Sequence, residues 1–271
     1  EGIPAVILGI VAYFYLTDRP EEAGWLRKDE REWLVTTVKA EREAHGVPTQ
    51  RTLSYFFRQL WFNRLWIAFF FEMSAGYAIV FWLPQIIRSF SLNSSHMEIG
   101  LITAVPYIGA LIVMLLWARH SDITGERKMH LLIPWTVAAV GLIGNAFTTN
   151  PVIALGFLTL GLMGLYSGVP VFWAVVTERM RRIDGSGGIA LVNALGTLGG
   201  FVGPFMMGLF IAGNGGMETG PALFFFGGFM LIAVLLMIWD FRKQDFEPVP
   251  VISGSADIGL QLMTDSIDHD R

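Results

Sequence analysis

The sequence predicts an all-α polytopic membrane protein, and three observations carry that prediction. Of its 271 residues, 53% are hydrophobic and only 15% are charged, whereas a soluble domain carries about 25% charge. Mean hydropathy is +0.52. Six apolar runs reach, or nearly reach, the roughly 20 residues a helix needs to cross about 30 Å of hydrocarbon. No run alternates polar and apolar residues with the strand period, so a β-barrel is not expected. Cysteine is absent, which excludes disulfides and thiolate metal sites.

The elements follow in order. A first apolar run, residues 2–16, is too short to span comfortably. It begins without a charged leader, which reads as a helix entered partway along and not as a signal peptide. Residues 17–63 form a long polar link. Within it "DEREWL" offers Asp29 as an N-cap with Glu32 three residues on. Trp25, Leu26, Trp33, Leu34 and Val38 give that helix an apolar face for the membrane surface or the bundle. Leu53, Phe56, Phe57 and Leu60 keep helical spacing toward the next span. The link reads either as a hinge-like connector between two halves or as a solvated tether. Complete spans are expected at about residues 65–83, 99–117, 129–147, 151–176, 188–212 and 221–239. The Pro-, Ser- and Asp-containing tail is expected to be disordered.

Lysine and arginine set the expected orientation. With alternating spans, all nineteen basic residues except Arg88 fall on one side. That side holds the long link, Arg119, Arg127 and Lys128, the group Arg179, Arg181 and Arg182, and the C-terminal tail. The basic side, with the tail, is therefore expected to be cytoplasmic.

Some residues in the runs are not required by lipid. Glu72, in "FFFEMSAGYAIVFWLPQI", is the ionisable residue that lies clearly inside a complete span. A charge at that depth costs about 2.5–3.5 kcal/mol. Glu72 reads either as a proton-exchanging group facing a water-filled cavity or as a structural acid bonded to a neighbouring helix. Later spans carry Tyr166, Ser167, Trp173, Thr177 and Asn193. An amide such as Asn193 donates and accepts hydrogen bonds without the penalty of charge. It suits a polyhydroxylated or carboxylated solute, with helix-to-helix bonding as the ordinary alternative. Trp173 is either a cavity wall or a packing group. "DGSGGIALVNALGTLGGFVGPFMMG" crowds small residues that let helices approach closely. Pro106, Pro134, Pro170 and Pro204 are expected to bend or break their helices. The five histidines show no i, i+4 convergence, and no HExxH, Walker or Gly-x-Ser-x-Gly pattern occurs. An enzyme site, a metal and a cofactor therefore have no support.

Between two oily runs stands "WARHSDITGERKMH", Trp117 to His130. It resembles the loop that joins the second and third helices of each six-helix half in the major facilitator superfamily, Gly-x-x-x-Asp-(Arg/Lys)-x-Gly-(Arg/Lys)-(Arg/Lys). Asp122 takes the acidic place, and Gly125, Arg127 and Lys128 take the turn and basic places. Ala118 stands where glycine is usual, Ile123 replaces a basic residue, and Glu126 adds one position. This form is similar to the variant of the anion:cation symporter branch. "YFYLTDRPEEAGWL" resembles the end of that branch's sixth helix and its exit into the central loop. "FWLPQII" resembles the end of the seventh helix, "PVFWAVVTERM" the tenth and "GGIALVNALGTLGGFVGPFMMG" the eleventh. The likeness covers nearly the whole chain, to about Lys243.

The resemblance implies the C-terminal six-helix bundle of the major facilitator fold plus the end of the preceding helix. Residues 1–16 would close helix six, 17–63 would form a cytoplasmic central loop with an amphipathic helix, 64–241 the six-helix half, and 242–271 a disordered cytoplasmic tail. It further implies a secondary active transporter of the bacterial inner membrane that moves a small organic anion with H+ by alternating access. A hydroxylated mono- or dicarboxylate such as tartrate is the expected substrate, and an aromatic acid the alternative. Trp173 and Asn193 match cavity-facing positions on helices ten and eleven, with Tyr77 behind them; these are the expected substrate contacts. Glu72 matches no position with a family role, so proton coupling there rests on its burial. The family's anion- and proton-binding residues lie in an N-terminal half, which joins the bilayer, the anion and H+ as an expected partner. Asp122, Arg127 and Lys128 around Gly125 would form a cytoplasmic charge network that holds one access state; a plain topology signal is the alternative. A channel, or a structural or signalling membrane protein, is the competing class. A channel would show a polar stripe along several helices.

Overall fold

The computed structural model describes residues 2–15, 17, 20–44, 53–90, 95–181, 186–213 and 218–242. Among them the regular elements are helical and no strand occurs. They are α1 (Gly2–Tyr15), a 3-10 turn (Pro20–Glu22), α2 (Lys28–Ala44), α3 (Leu53–Arg58), α4 (Leu60–Phe90), α5 (His96–Thr124), α6 (Lys128–Ala146), α7 (Pro151–Arg181), α8 (Ser186–Thr197), α9 (Gly199–Gly213) and α10 (Gly220–Arg242). Six stretches are long and apolar enough to cross a membrane: Leu60–Ser89, His96–Thr124, Lys128–Ala146, Pro151–Met180, Gly187–Gly213 and Gly220–Arg242. The chain is thus an all-α polytopic membrane protein, and each expected span lies within one of these stretches or within a residue of its end.

Helix ends explain the boundaries. α5 begins with a capping box: the Glu98 N–H donates to Ser95 Oγ at 3.3 Å, and the Ser95 N–H donates to the Glu98 carboxylate at 2.7 Å. Two orphan donors are satisfied reciprocally. α5 ends at Gly125, whose φ of 66° is the left-handed conformation that glycine adopts without a Cβ penalty. α7 starts with Pro151 after Asn150, whose Oδ1 accepts from the Val152 and Ile153 N–H groups at 3.0 and 3.2 Å.

Three expectations are corrected. The capping box proposed for Asp29 and Glu32 is displaced: α2 begins at Lys28, and the Glu30 carboxylate accepts the Arg27 N–H at 3.2 Å. With Lys28 already helical, Arg27 is the N-cap residue, and Glu30 stands at the third helical position, from which a side chain reaches back to the N-cap N–H. Pro106, Pro134, Pro170 and Pro204 break none of their helices, since all four lie inside continuous ones. In lipid, neighbouring helices and small local adjustments let the backbone accommodate a missing N–H. The interruption falls instead at Leu198, beside Gly199 and Gly200, and divides the expected 188–212 span into α8 and α9. Trp25 and Trp33 are exposed, which removes the bundle as their partner and leaves the membrane surface. Residues 45–52 of the long link and the expected tail beyond Arg242 lie outside the described residues.

The chain divides into two compact units. The first comprises Glu1–Gln59 with Val175–Leu191. There Phe56 of α3 is buried beside Met180 and Gly188, and a side chain at Gly188 would collide with both. The Arg31 guanidinium of α2 donates to the Glu21 carbonyl at 3.4 Å.

The second unit comprises Leu60–Ala174 with Val192–Arg271 and holds most of the spanning residues. α6 and α7 form a tight antiparallel pair, because Gly141 and Gly164 each lie against the partner's backbone. The Asn145 amide also donates to the Ala154 carbonyl at 2.6 Å. α9 lies on α4 through Gly199 and Gly203, where a Cβ would strike the Phe70 and Ser74 backbone. Such small-residue contacts are how helices associate where lipid removes the hydrophobic driving force.

Candidate functional site

The second unit contains three polar clusters. The first lies at the α5–α6 turn. Arg127, the residue before α6, places Nη1 2.6 Å from Asp122 Oδ1 and 3.0 Å from Ser121 Oγ. Ser121 Oγ–H donates to the Glu126 carbonyl at 3.0 Å, which holds the turn closed. Gly125 supplies the φ that the turn requires. Lys128 opens α6 with its side chain exposed. Asp122, Gly125 and Arg127 therefore meet as the motif implied, while Lys128 stands on the rim.

Glu126, which departs from the motif, has a role of its own. Its carboxylate accepts the Met129 N–H at 2.7 Å and the His130 N–H at 3.2 Å, and lies 2.7 Å from His130 Nδ1. The carboxylate thus sits on the positive end of α6. Burial works against its ionisation, but the bonds to Met129 and His130 outweigh it and hold the carboxyl below its ordinary range.

The second cluster is interior. Glu72 on α4 is 2% exposed, and its Oε2 has no hydrogen-bond partner among the described residues. Tyr166 of α7 lies within electrostatic reach of Tyr107, Glu72 and Tyr77, and the Tyr107 and Tyr166 ring centroids are 6.2 Å apart. Three residues before Glu72, Phe69 meets Trp173 edge-on at 5.1 Å and stacks on Phe172 at 4.9 Å. Gly196, one turn after Asn193 on α8, lies against the same Phe69 ring. Phe69 is therefore the shared neighbour through which α4, α7 and α8 bring Trp173 and the Asn193 turn together. Asn193 is exposed, and its carbonyl accepts the Thr197 hydroxyl at 2.7 Å. Tyr77, half-exposed, packs over Gly200 and against Phe81 at 6.2 Å. An open groove of about 510 Å³ continues beyond it, lined by Phe81, Trp82, Gln85, Gly200, Phe201 and Phe205 among others.

The third cluster was not anticipated. Arg64 of α4 and Asp240 of α10 approach to 3.6 Å, with side chains 7% and 0% exposed. The Arg64 guanidinium also lies 4.2 Å over the Trp239 ring, a cation–π arrangement. In the sequence each charge flanks an apolar run, and Arg64 reads only as a topology marker; the separation along the chain conceals the pair. His120, His130 and Ser121 were likewise missed, because their contacts cross a turn and follow no helical period.

Comparison with known proteins bears on the same elements. The family model for the Major Facilitator Superfamily matches residues 1–182 and again 85–259. A protein of Agrobacterium vitis named "Putative tartrate transporter" is 40% identical over 238 residues, which are 88% of this chain and 52% of that protein. The inner membrane transport protein RhmT of Escherichia coli is 30% identical over 209 residues, 76% of this chain and 47% of its own length. A quinolone resistance transporter of Acinetobacter baumannii is 29% identical over 263 residues, 93% and 57% respectively. The chain spans about half the length of these curated relatives.

Proposed function

The chain belongs to the major facilitator superfamily, and on that premise we propose that it forms the C-terminal half of a secondary transporter of a small organic anion. The substrate is a hydroxylated mono- or dicarboxylate such as tartrate, carried with H+ by alternating access. The observation that carries this reading is the convergence of Trp173, Phe69 and the Asn193 turn beside the buried Glu72, on a chain that shares 40% identity with proteins named for tartrate. Asn193, exposed on this half, offers donor and acceptor to a hydroxyl or carboxylate. Trp173 and Tyr77 wall the site. Glu72 takes and releases the coupling proton. An N-terminal six-helix half completes the cavity, and the assembly lies in a bacterial inner membrane with the α5–α6 turn and the C-terminus in the cytoplasm.

The Asp122–Arg127 pair then acts as a cytoplasmic gate: at 2.6 Å it holds the turn in one access state and releases in the other. An aromatic acid is a second substrate reading, favoured by the aromatic groove beside Tyr77. Uptake by the intact transporter in proteoliposomes, with a panel of tartrate, sugar acids and benzoates under an imposed pH gradient, tests both. Concentrative tartrate uptake supports the first reading and concentrative benzoate uptake the second. Flux that only runs downhill would favour a channel and remove both.

A further inference from the structure

Beside the Asp122–Arg127 pair lies a second chain of contacts that the motif does not account for. His120 Nδ1, in the last turn of α5, is 2.6 Å from His130 Nε2, in the first turn of α6. His130 Nδ1 is in turn 2.7 Å from Glu126 Oε2. His120 is exposed, whereas His130 is 8% exposed with its ring 5.1 Å from that of Trp117. The Trp117 indole N–H also donates to the His130 carbonyl at 2.8 Å.

We propose that Glu126, His130 and His120 form a proton-binding relay that clamps the end of α5 to the start of α6 and opens on taking up a second proton.

The argument is a count of protons. Two ring nitrogens 2.6 Å apart share a single hydrogen, because two facing N–H groups would repel. A carboxylate only accepts, so His130 Nδ1 carries its hydrogen toward Glu126. With both rings neutral, His120 Nδ1–H donates to His130 Nε2, and His120 Nε2 is the acceptor turned to water. One added proton is accommodated without loss of a bond: it sits on His120 Nε2, or the shared hydrogen moves to His130 while His120 changes tautomer. The single positive charge is then balanced by Glu126. A second proton leaves no acceptor between the rings and places two cations side by side. The bond must break, and α5 and α6 lose this link, which leaves the Trp117 indole bond to the His130 carbonyl to carry the strain.

The surroundings favour this sequence. Glu126 is held below its ordinary range, so it stays charged through the interval, about pH 5 to 8, in which histidine side chains change charge. The other charged groups near this end of α5, in the turn and on α6 are Arg119, Asp122, Arg127 and Lys128; His96 and Glu98 stand at the opposite end of α5. Asp122 and Arg127 satisfy each other, and Arg119 and Lys128 are exposed. From the helices packed around them, Arg64 and Asp240 pair together and Arg242 is exposed. The nearest unspent cations therefore oppose a second proton, which sharpens the opening. The inference is independent of any substrate, so its failure would leave the transport reading intact.

The test is nitrogen-15 histidine NMR of the full protein in lipid nanodiscs, from pH 8 to pH 5. The His120→Asn variant assigns the signals among the five histidines. At pH 8 one nitrogen of each ring should show scalar coupling through the shared hydrogen. The coupling should survive the first protonation and vanish with the second, together with a shift of the Trp117 indole N–H. Absence of coupling at every pH, or its persistence after both rings are protonated, would overturn the proposal. A second readout needs no assignment. The melting temperature of the wild type should fall by roughly 2–4 °C more than that of His120→Asn between pH 8 and pH 5. Superimposable pH profiles would also overturn it.

Discussion

The α5–α6 turn and the interior around Glu72 treat charge in opposite ways. At the turn, Asp122, Glu126, His120 and His130 each meet a partner within 2.7 Å. In the interior, a fully buried carboxyl leaves one oxygen with no partner among the described residues. Exposed pairs contribute at most about 1 kcal/mol, so the turn's charges fix geometry more than they add stability. An intramembrane acid costs several times that, and among the described residues no hydrogen bond to Glu72 Oε2 offsets it. On the proposed function, the comparison separates charges that hold the fold from one that exchanges a proton. Arg64 and Asp240 form an intermediate case, buried like Glu72 but paired like the turn.

Breaking that intermediate pair should have the largest effect. Arg64→Met removes the guanidinium 3.6 Å from a fully buried carboxylate, and such losses cost about 3–5 kcal/mol; thermal unfolding in nanodiscs should show it. An unchanged melting temperature would mean that Asp240 is sustained by its other contacts. Next is Gly203→Ala. Its Cβ meets the Ser74 backbone and should cost about 1–3 kcal/mol by overpacking, again read by melting. Asn193→Ala removes about one substrate hydrogen bond, worth roughly 0.5–1.5 kcal/mol. The apparent KM should rise several-fold with expression unchanged, and unaltered kinetics would remove Asn193 from the site. Asp122→Asn should shift the inward/outward balance by less than about fivefold, because the Asp122 side chain is 68% exposed. Accessibility labelling from the two sides measures that ratio, and no shift would reduce the motif to a topology signal. Smallest is the effect of acid on Glu126. Its carboxyl is held low in the fold, so its contribution is complete above an ordinary glutamate value of about 4.3. It is lost only as pH falls through the lowered folded value. A wild-type advantage over Glu126→Gln that stayed undiminished as pH falls below about 4 would contradict that sign.

Much of the fold could be read before the structure because a membrane permits few alternatives. A run of about 20 apolar residues has to be a helix, so the spans emerged at the right places. Their ends did not: α4 starts at Leu60 and not near Leu65, since polar residues at the interface extend a helix without extending its hydrocarbon. Ser95-His96-Met97-Glu98 was a legible capping box and went unread. The α8–α9 break at Leu198 was harder, because it does not fall at Pro204 but beside Gly199, which lies against the α4 backbone. Within the site, Glu72 stood out as an isolated acid among phenylalanines. Phe69 gave no such signal: its importance lies in touching Trp173 and Gly196 at once, which only tertiary packing creates. The link between His120 and His130 was hidden for the same reason.

The most direct test of the central claim is Glu72→Gln in the intact transporter, assayed in one proteoliposome preparation for two activities. These are tartrate accumulation driven by a pH gradient and tartrate counterflow without one. If Glu72 carries the coupling proton, accumulation should fall at least about tenfold, a loss of roughly 1.4 kcal/mol or more, while counterflow continues. Equal retention of both activities would show that the buried carboxyl is structural and that the coupling proton is bound elsewhere.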